Sequence, residues 1–131
     1  MQSDDKEFKK QFQQRLIEFS LDIIKLCYNI SRDGYLRIIL NQLIRSATSI
    51  GANIAEAKSS SSKKDYLNYF QIALKSANET NYWLILLKES VKFQDNTKLN
   101  QTRDEIDRLM KELFEISNIL ASGILTMKGR K

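Results

Sequence analysis

Histidine, the residue most often used for acid–base chemistry and metal binding, is absent from this 131-residue sequence. Without it, neither a serine–histidine nucleophile pair nor the Glu-x-x-His motif of di-iron helical bundles can form. The single cysteine, Cys27, cannot make an internal disulfide or supply the ligands of a zinc site. The four glycines stand apart at positions 34, 51, 123 and 129, so no phosphate-binding glycine loop is present. These absences predict a protein that is not an enzyme and that has no metal site and no cofactor.

Polar residues with regular spacing border an apolar row in the middle of the sequence. The apolar row recurs at steps of four, three, four and three, which places its members on one face of a helix: Leu43, Ala47, Ile50, Ile54 and Ala57. One residue earlier, about 100° around the helix, runs a row of polar side chains: Gln42, Ser46, Ser49, Asn53 and Glu56. This pattern predicts a packed helix with hydrogen-bonding groups at the border of its core.

A second apolar row follows the serine run Ser59–Ser62. Its members are Tyr66, Phe70, Ala73, Ala77, Leu84, Leu87 and Val91, with Thr80 at one position of the row. The residues one step earlier are Tyr69, Ile72, Ser76, Glu79, Trp83 and Leu86, most of which are also apolar. A helix that is apolar over so wide an arc is buried on more than one side. It therefore lies centrally in the monomer or faces another subunit.

Two roles are open for the polar residues along these rows and for Arg45 beside them. In the structural interpretation, Asn53, Glu56 and Ser76 fix the register of the helices, and Glu79 accepts a hydrogen bond from Asn53 or Arg45. In the alternative, the same residues line a subunit interface or the channel of a ring. A magnesium site at Glu56 and Glu79, the carboxylates that border the core, is the least favoured role.

Three aromatic side chains near the second row are candidates for an interface: Tyr69, Tyr82 and Trp83. At helical spacing an aromatic residue more often belongs to a core than to a base-stacking platform, and this applies to Trp83. Tyr82 falls outside both rows, so it is predicted to be the more exposed of the two.

Four helices position these residues. The apolar periodicity predicts them at residues 5–31, 35–58, 63–92 and 97–127. The sequence has no proline, and its connections are short, so neighbouring helices must be antiparallel. The expected fold is an all-α, antiparallel up-down-up-down four-helix bundle in one domain, residues 1–131. Cys27 falls on the apolar side of the first helix and is predicted to be a buried, reduced thiol.

Local residues mark the ends of the helices. Asp4 and Asp5 both suit a helix start, and Gly34 can take the left-handed conformation that closes the first helix. Ser62 and Asp65 fit a variant of the capping box, in which the serine oxygen accepts from the third amide of the helix. The fourth helix is expected to begin after the cap-forming residues Asp95–Thr97.

The segment from Arg45 to Glu79 carries two motifs of a known family. The first is close to R-S-x-x-S-I-x-x-N-I-x-E-G and is matched at Arg45, Ser46, Ser49, Ile50, Asn53, Ile54 and Glu56. The second, Y-x-x-x-L-x-I-A-x-G-S-x-x-E, is matched at Tyr66, Ile72, Ala73, Ser76 and Glu79. The chain departs from the motifs at Ala57, Phe70 and Lys75. On these residues it resembles the small bacterial four-helix-bundle proteins often encoded in intervening sequences of 23S ribosomal RNA genes.

The resemblance spans nearly the whole chain and implies the same four-helix fold. Related bundles are accessory proteins of diversity-generating retroelements, where they resemble pentameric rings that bind nucleic acid and a reverse transcriptase. The resemblance therefore implies a homo-oligomer, with a pentamer favoured. Composition and spacing alone do not indicate a subunit number.

The net charge of +5 is unevenly distributed. Residues 1–30 carry five basic and five acidic side chains, whereas residues 91–131 carry eight basic against six acidic ones. The basic residues concentrate around the serine run and at the C-terminus: Lys58, Lys63, Lys64, Lys128, Arg130 and Lys131. They are predicted to bind nucleic acid, RNA in preference, through its phosphates and without reading sequence. Charges that serve solubility alone are the alternative.

The sequence has no apolar run of the ~18–20 residues that cross a bilayer, and its first ten residues contain no apolar signal core. We therefore expect a cytoplasmic protein without a membrane partner. Two hypotheses on function follow. The first is a non-enzymatic, nucleic-acid-binding homo-oligomer; the second is a protein-interaction scaffold, in which the broad third helix or the C-terminal tail engages a protein partner.

Overall fold

The computed structural model describes residues 2–93 and 99–129, and these residues form an all-helical fold. The elements are α1 (Gln2–Tyr28), α2 (Tyr35–Ala57), α3 (Lys63–Ser90), a 3-10 helix (Val91–Phe93) and α4 (Leu99–Gly129). No strand occurs within the two described ranges. The prediction of an all-α fold with four long helices is confirmed.

Hydrogen bonds between α2 and α3 show that these two helices run in opposite directions. Ser46 pairs with Thr80 and Ser49 with Ser76, so the residue numbers rise along one helix while they fall along the other. The same reversal relates α3 to α4, where the pairs are Phe70 with Gly123 and Lys88 with Asp107. The helices therefore form an antiparallel bundle.

The apolar rows of the helices meet in one continuous core. All five members of the apolar row of α2 are buried, and so are Ala73, Ala77, Leu84, Leu87 and Val91 from the second row. Each Leu or Ile that is fully buried stabilises the fold by about 1.5–3 kcal/mol relative to an exposed side chain. The packing of these rows, rather than helix propensity, therefore holds the four helices together.

The connection between α1 and α2 differs from the prediction. α1 ends at Tyr28 instead of residue 31, and Ile30 beyond it is buried in the core. Gly34 has a positive φ of 56°, as expected, but it is the N-cap of α2 and does not close α1. Its ψ of −130° makes this conformation the mirror image of extended backbone, which glycine adopts readily. The helix ends early because its last turn tightens: the backbone N–H groups of Asn29 and Ile30 donate to Leu26 O and Cys27 O, three residues back.

The other helix ends lie near their predicted positions. Ser62 is the N-cap of α3, and its Oγ accepts a hydrogen bond from the backbone N–H of Asp65 at 3.0 Å, which confirms the predicted cap. α3 ends at Ser90, two residues early, where the chain tightens into the 3-10 helix. The cap predicted for α4, Asp95–Thr97, lies outside the described residues.

Charged residues connect α1 and α4 at the edge of the apolar core that the two helices share. Arg15 donates two hydrogen bonds to Glu112, each 2.7 Å long, and a third of 2.8 Å to Glu115. Further along the same contact, Arg108 lies 3.3 Å from Asp22. Glu112 and Glu115 raise the pKa of the Arg15 guanidinium above the usual arginine value, and Glu105 on its own helix, with Asp22, raises that of Arg108. We call this contact the α1–α4 seam.

Candidate nucleic-acid interface

The antiparallel order of the helices gathers lysines from three chain segments at one end of the bundle. The start of α1, the connection between α2 and α3, and the end of α4 meet there. We call this end the basic pole and define it by Lys6, Lys9, Lys10, Lys58, Lys63, Lys64 and Lys128, all of which are exposed. It contains four of the six residues predicted to bind phosphates. The other two, Arg130 and Lys131, lie outside the described residues.

Lys6, Lys9 and Lys10, the three lysines near the start of α1, were not predicted from the sequence. Residues 1–30 carry no net charge, so their basic side chains did not stand out as a group. The topology predicts them, because in an up-down-up-down bundle the starts of α1 and α3 lie at the same end of the molecule. The structure bears this out: the Lys9 Nζ lies 5.6 Å from the centre of the Tyr66 ring. Exposed carboxylates offset part of this charge: Asp5, Glu7, Glu56 and Asp65.

The predicted lysines of the basic pole are available to a ligand. Within the described residues, Lys58, Lys63, Lys64 and Lys128 form no ion pair. At the opposite end of the bundle, in contrast, the pairs are Lys88 with Asp107 at 2.5 Å and Lys92 with Glu89 at 2.6 Å. The second of these pairs lowers the pKa of the Glu89 carboxyl. Lysines without an acidic partner can bind phosphate without first breaking an ion pair.

An open groove of about 610 Å³ lies at the basic pole between α1, α3 and α4. We call it the pole groove. One side is aromatic and is formed by Phe8, Phe12, Tyr66 and Phe70. The other side belongs to α4 and carries the polar side chains Asn118, Ser122 and Thr126. Lys9, Lys63 and Asp5 also line it.

The polar row of α2 forms a hydrogen-bonded contact with α3. The buried Thr80 Oγ1 donates to Ser46 Oγ at 3.0 Å, and the hydroxyls of Ser49 and Ser76 lie 3.0 Å apart. Asn53 Nδ2 donates to Ser49 Oγ at 3.0 Å and to the Ser49 carbonyl at 2.8 Å. The family-motif residues Ser46, Ser49, Asn53 and Ser76 are thus brought together. This is the arrangement that the structural interpretation predicts for these four residues.

The charged residues of the motif do not join this network. Glu79 was predicted to accept from Asn53 or Arg45, but its Oε2 accepts from Trp83 Nε1 at 3.1 Å on its own helix. Arg45, Glu56 and Glu79 are all exposed. The prediction for Glu79 was wrong because Asn53 can satisfy its amide within α2, and the spacing of four residues places Trp83 directly beside Glu79.

Exposed apolar residues surround these charges on the outer side of α2 and α3. Ile38 is 62% exposed, Tyr82 56%, and Ile72 is also exposed. Trp83 is half-buried and stands edge-on to Tyr82 at 5.3 Å between ring centres, and Tyr69 is half-buried. Tyr82 is therefore more exposed than Trp83, as predicted. We call this surface the outer α2–α3 face and define it by Ile38, Arg45, Glu56, Ile72, Glu79, Tyr82 and Trp83.

No cluster of three or more His, Cys, Asp or Glu side chains suited to a metal ion occurs in residues 2–93 and 99–129. Cys27 is buried, as predicted, and its burial raises the pKa of the thiol from 9.0 to about 12. A thiol with so high a pKa is a poor nucleophile, because the reactive species is the thiolate. None of the helices described is long and apolar enough to cross a membrane.

Comparison with known proteins agrees with this architecture. Residues 9–115 match the model of the 23S rRNA-intervening sequence protein family. The chain belongs to this family. It is also similar to a protein of unknown function from the S23 ribosomal protein family of Bacteroides thetaiotaomicron, whose crystal structure is known. The two share 34% sequence identity and a TM-score of 0.69, over 86% of this chain and 97% of the other. No curated protein matches the chain.

The family match covers α1 from Lys9 onward, α2, α3 and the first half of α4, and therefore includes the complete polar row but not Lys6 or Phe8. The family assignment made from the two motifs is thus confirmed. The last turns of α4, with Lys128, lie beyond the matched residues.

Proposed function

We propose that this family member is a non-enzymatic homopentamer that binds nucleic acid, RNA in preference, through the phosphates and without sequence specificity. The observation that carries the proposal is the basic pole, where lysines distant in sequence converge and where Lys58, Lys63, Lys64 and Lys128 have no ion pair among the described residues. Arg130 and Lys131, which follow Lys128 in the sequence, are proposed to bind phosphates as well. Three lysines of α1 extend the same surface.

Electrostatics explains how so modest a charge could bind a polyanion. Each chain carries a net charge of +5, so five chains at +5 each carry +25. In a ring, every basic pole faces the same way and is repeated around one axis. Repeated phosphate contacts release counterions and add affinity through multivalency. The lysine ammonium is a point charge, whereas the planar arginine guanidinium donates two parallel hydrogen bonds. Lysines therefore favour contact with the nucleic-acid backbone over readout of bases.

The outer α2–α3 face supports the self-association part of the proposal. It combines exposed apolar and aromatic residues with charged ones, which is the composition of a protein–protein interface. Ile38, Ile72 and Tyr82 leave apolar surface in contact with water in the monomer. A second copy would cover it. The pentamer is adopted from the resemblance to the accessory proteins of diversity-generating retroelements.

Neutralisation of the basic pole tests nucleic-acid binding. We expect the double variant Lys63→Gln/Lys64→Gln to weaken binding of a labelled RNA and to reduce the dependence of log Kd on log salt, by about one for each phosphate that is no longer bound. Fluorescence anisotropy at about 50 and 200 mM salt measures both effects. The matched control is Lys25→Gln/Lys111→Gln, which removes the same charge from exposed positions outside the pole. Equal affinity of the two double variants would remove Lys63 and Lys64 from the site.

A protein-interaction scaffold is the second candidate function. The observation in its favour is the apolar surface that α3 exposes at Ile72, Tyr82 and Ile85. If the chain is a scaffold for another protein, part of this surface stays exposed after the chain has self-associated. Hydroxyl-radical labelling of the purified oligomer distinguishes self-association from the scaffold, because the Tyr82 side chain would remain accessible only if this surface awaits another protein.

A further inference from the structure

The pole groove has features that lysines alone do not explain. Phe8 is 54% exposed at its mouth, and its ring is stacked on Phe12, with 6.5 Å between centroids and 15° between planes. Tyr66 and Phe70 continue the aromatic side, with ring centres 5.0 Å apart. An aromatic side chain left half in water offers a flat apolar surface to an occupant. The aromatic side therefore points to a flat, apolar ligand.

The opposite side of the groove is shaped by small and polar residues of α4. A Cβ at Gly123 would meet the Phe70 ring at 3.3 Å, closer than most such contacts, so glycine lets the ring lie against α4. Asn118, Ser122 and Thr126 recur at steps of four and therefore share one side of the helix. Their amide and hydroxyl groups can donate and accept hydrogen bonds. An occupant with polar edges fits between the two sides.

The charges at the groove identify the kind of ligand. Two lysines of the basic pole, Lys9 and Lys63, line it. The single carboxylate of the lining, Asp5, already lies 3.7 Å from the Lys9 Nζ. Both side chains of that pair are exposed, so the pair is weak and lets Lys9 reach a phosphate. A flat ring with polar edges, joined to phosphates, is a nucleotide.

We propose that the pole groove binds an unpaired base of single-stranded RNA, stacked on Phe8, with the flanking phosphates on Lys9 and Lys63. This inference rests on the proposed function and adds that the preferred strand is single. In a duplex the bases are already stacked on one another and cannot enter the groove. Stacking on an aromatic ring tolerates any base, which agrees with binding that ignores sequence.

The test compares Phe8→Ala with Phe114→Ala, a matched change at an α4 residue that is 67% exposed and is not part of the groove. Binding of a labelled single strand and of a duplex of equal length is measured by anisotropy. We expect Phe8→Ala to weaken single-strand binding by about five-fold or more. Duplex binding and the salt dependence should stay unchanged, and Phe114→Ala should change neither. A single strand that carries 2-aminopurine reports stacking directly, through a change in fluorescence that Phe8→Ala abolishes.

Ser122→Leu provides an independent variant, because it fills the groove from the other side and removes no aromatic ring. It should weaken single-strand binding as Phe8→Ala does. Unchanged single-strand affinity in both variants would overturn the groove while leaving the basic pole intact. Equal affinity for inorganic polyphosphate and single-stranded RNA would do the same. Failure of the unmodified protein to bind either nucleic acid at low salt would overturn the proposed function itself.

Discussion

At the scale of single residues, the exposed lysines of the basic pole and the buried Cys27 thiol differ in their access to solvent and ligands. The lysines of the basic pole that were predicted from the sequence are exposed and lack acidic partners among the described residues, so their charges act on whatever approaches. Cys27 is buried against apolar neighbours, where desolvation disfavours the thiolate. The positions of these residues in the sequence pattern predicted this difference, because Cys27 falls on the apolar side of α1 and the lysines lie at helix ends.

Cys27 gives a prediction that depends on pH. Its pKa is about 12 in the fold and 9.0 ordinarily, so the native state holds the proton more tightly than the unfolded state does. The resulting stability is complete below pH 9 and is lost as the pH rises from 9 towards 12. The free energy of unfolding should therefore fall above pH 9, and more steeply than in Cys27→Ala. Urea titrations from pH 7 to 10.5 measure this difference, and identical pH dependence of the two proteins would contradict it.

At the scale of elements, the apolar periodicity predicted four helices but not every helix end. Burial of a whole row depends on many residues, so one misplaced residue does not change the result. The end of α1, in contrast, depends on a local tightening of the backbone at Asn29 and Ile30, which apolar spacing does not specify. Likewise, the choice between Trp83 and Asn53 as the partner of Glu79 depends on side-chain orientations that spacing does not specify. The proximity of Lys9 to Tyr66 follows only from the order of the helices, which brings the starts of α1 and α3 to the same end of the bundle.

The hydrogen bond between α2 and α3 at Thr80 gives a prediction at this scale. Thr80→Val keeps the shape of the side chain but removes the hydroxyl, which lies 3.0 Å from Ser46 Oγ and 2.7 Å from the Ser76 carbonyl on its own helix, and should cost about 1 kcal/mol of stability. The double variant Ser46→Ala/Thr80→Val should cost less than the sum of the single changes, because no polar group is then left without its partner. Thr48→Val is the control, since Thr48 donates only within α2. Strict additivity in urea unfolding would contradict a direct coupling between the helices.

At the scale of the whole molecule, the outer α2–α3 face should determine the assembly. Ile38→Arg places a charge on this face at a residue that is 62% exposed, so the monomer should fold normally. We expect the native mass, measured by analytical ultracentrifugation, to fall from that of a pentamer to that of a smaller species. Leu125→Arg, at a residue of α4 that is 70% exposed, is the control and should leave the mass unchanged.

Loss of assembly should also weaken RNA binding, because the contacts of separate chains no longer add. An unchanged mass for Ile38→Arg would mean that the subunits meet elsewhere on the bundle. The basic pole of each chain would still be intact in that case, so the two parts of the proposed function are tested separately.

The α1–α4 seam adds exposed ion pairs to the loosest of the four contacts between neighbouring helices. Helices joined by an apolar core separate only at a large cost in free energy, whereas exposed ion pairs such as Arg108 with Asp22 exchange with water and ions at little cost. We therefore expect the distance between α1 and α4 to fluctuate more than the distance between α2 and α3. Since Phe8 belongs to α1 and Asn118 to α4, each such excursion changes the width of the pole groove. The fold thus gives the groove an adjustable entrance without a separate lid.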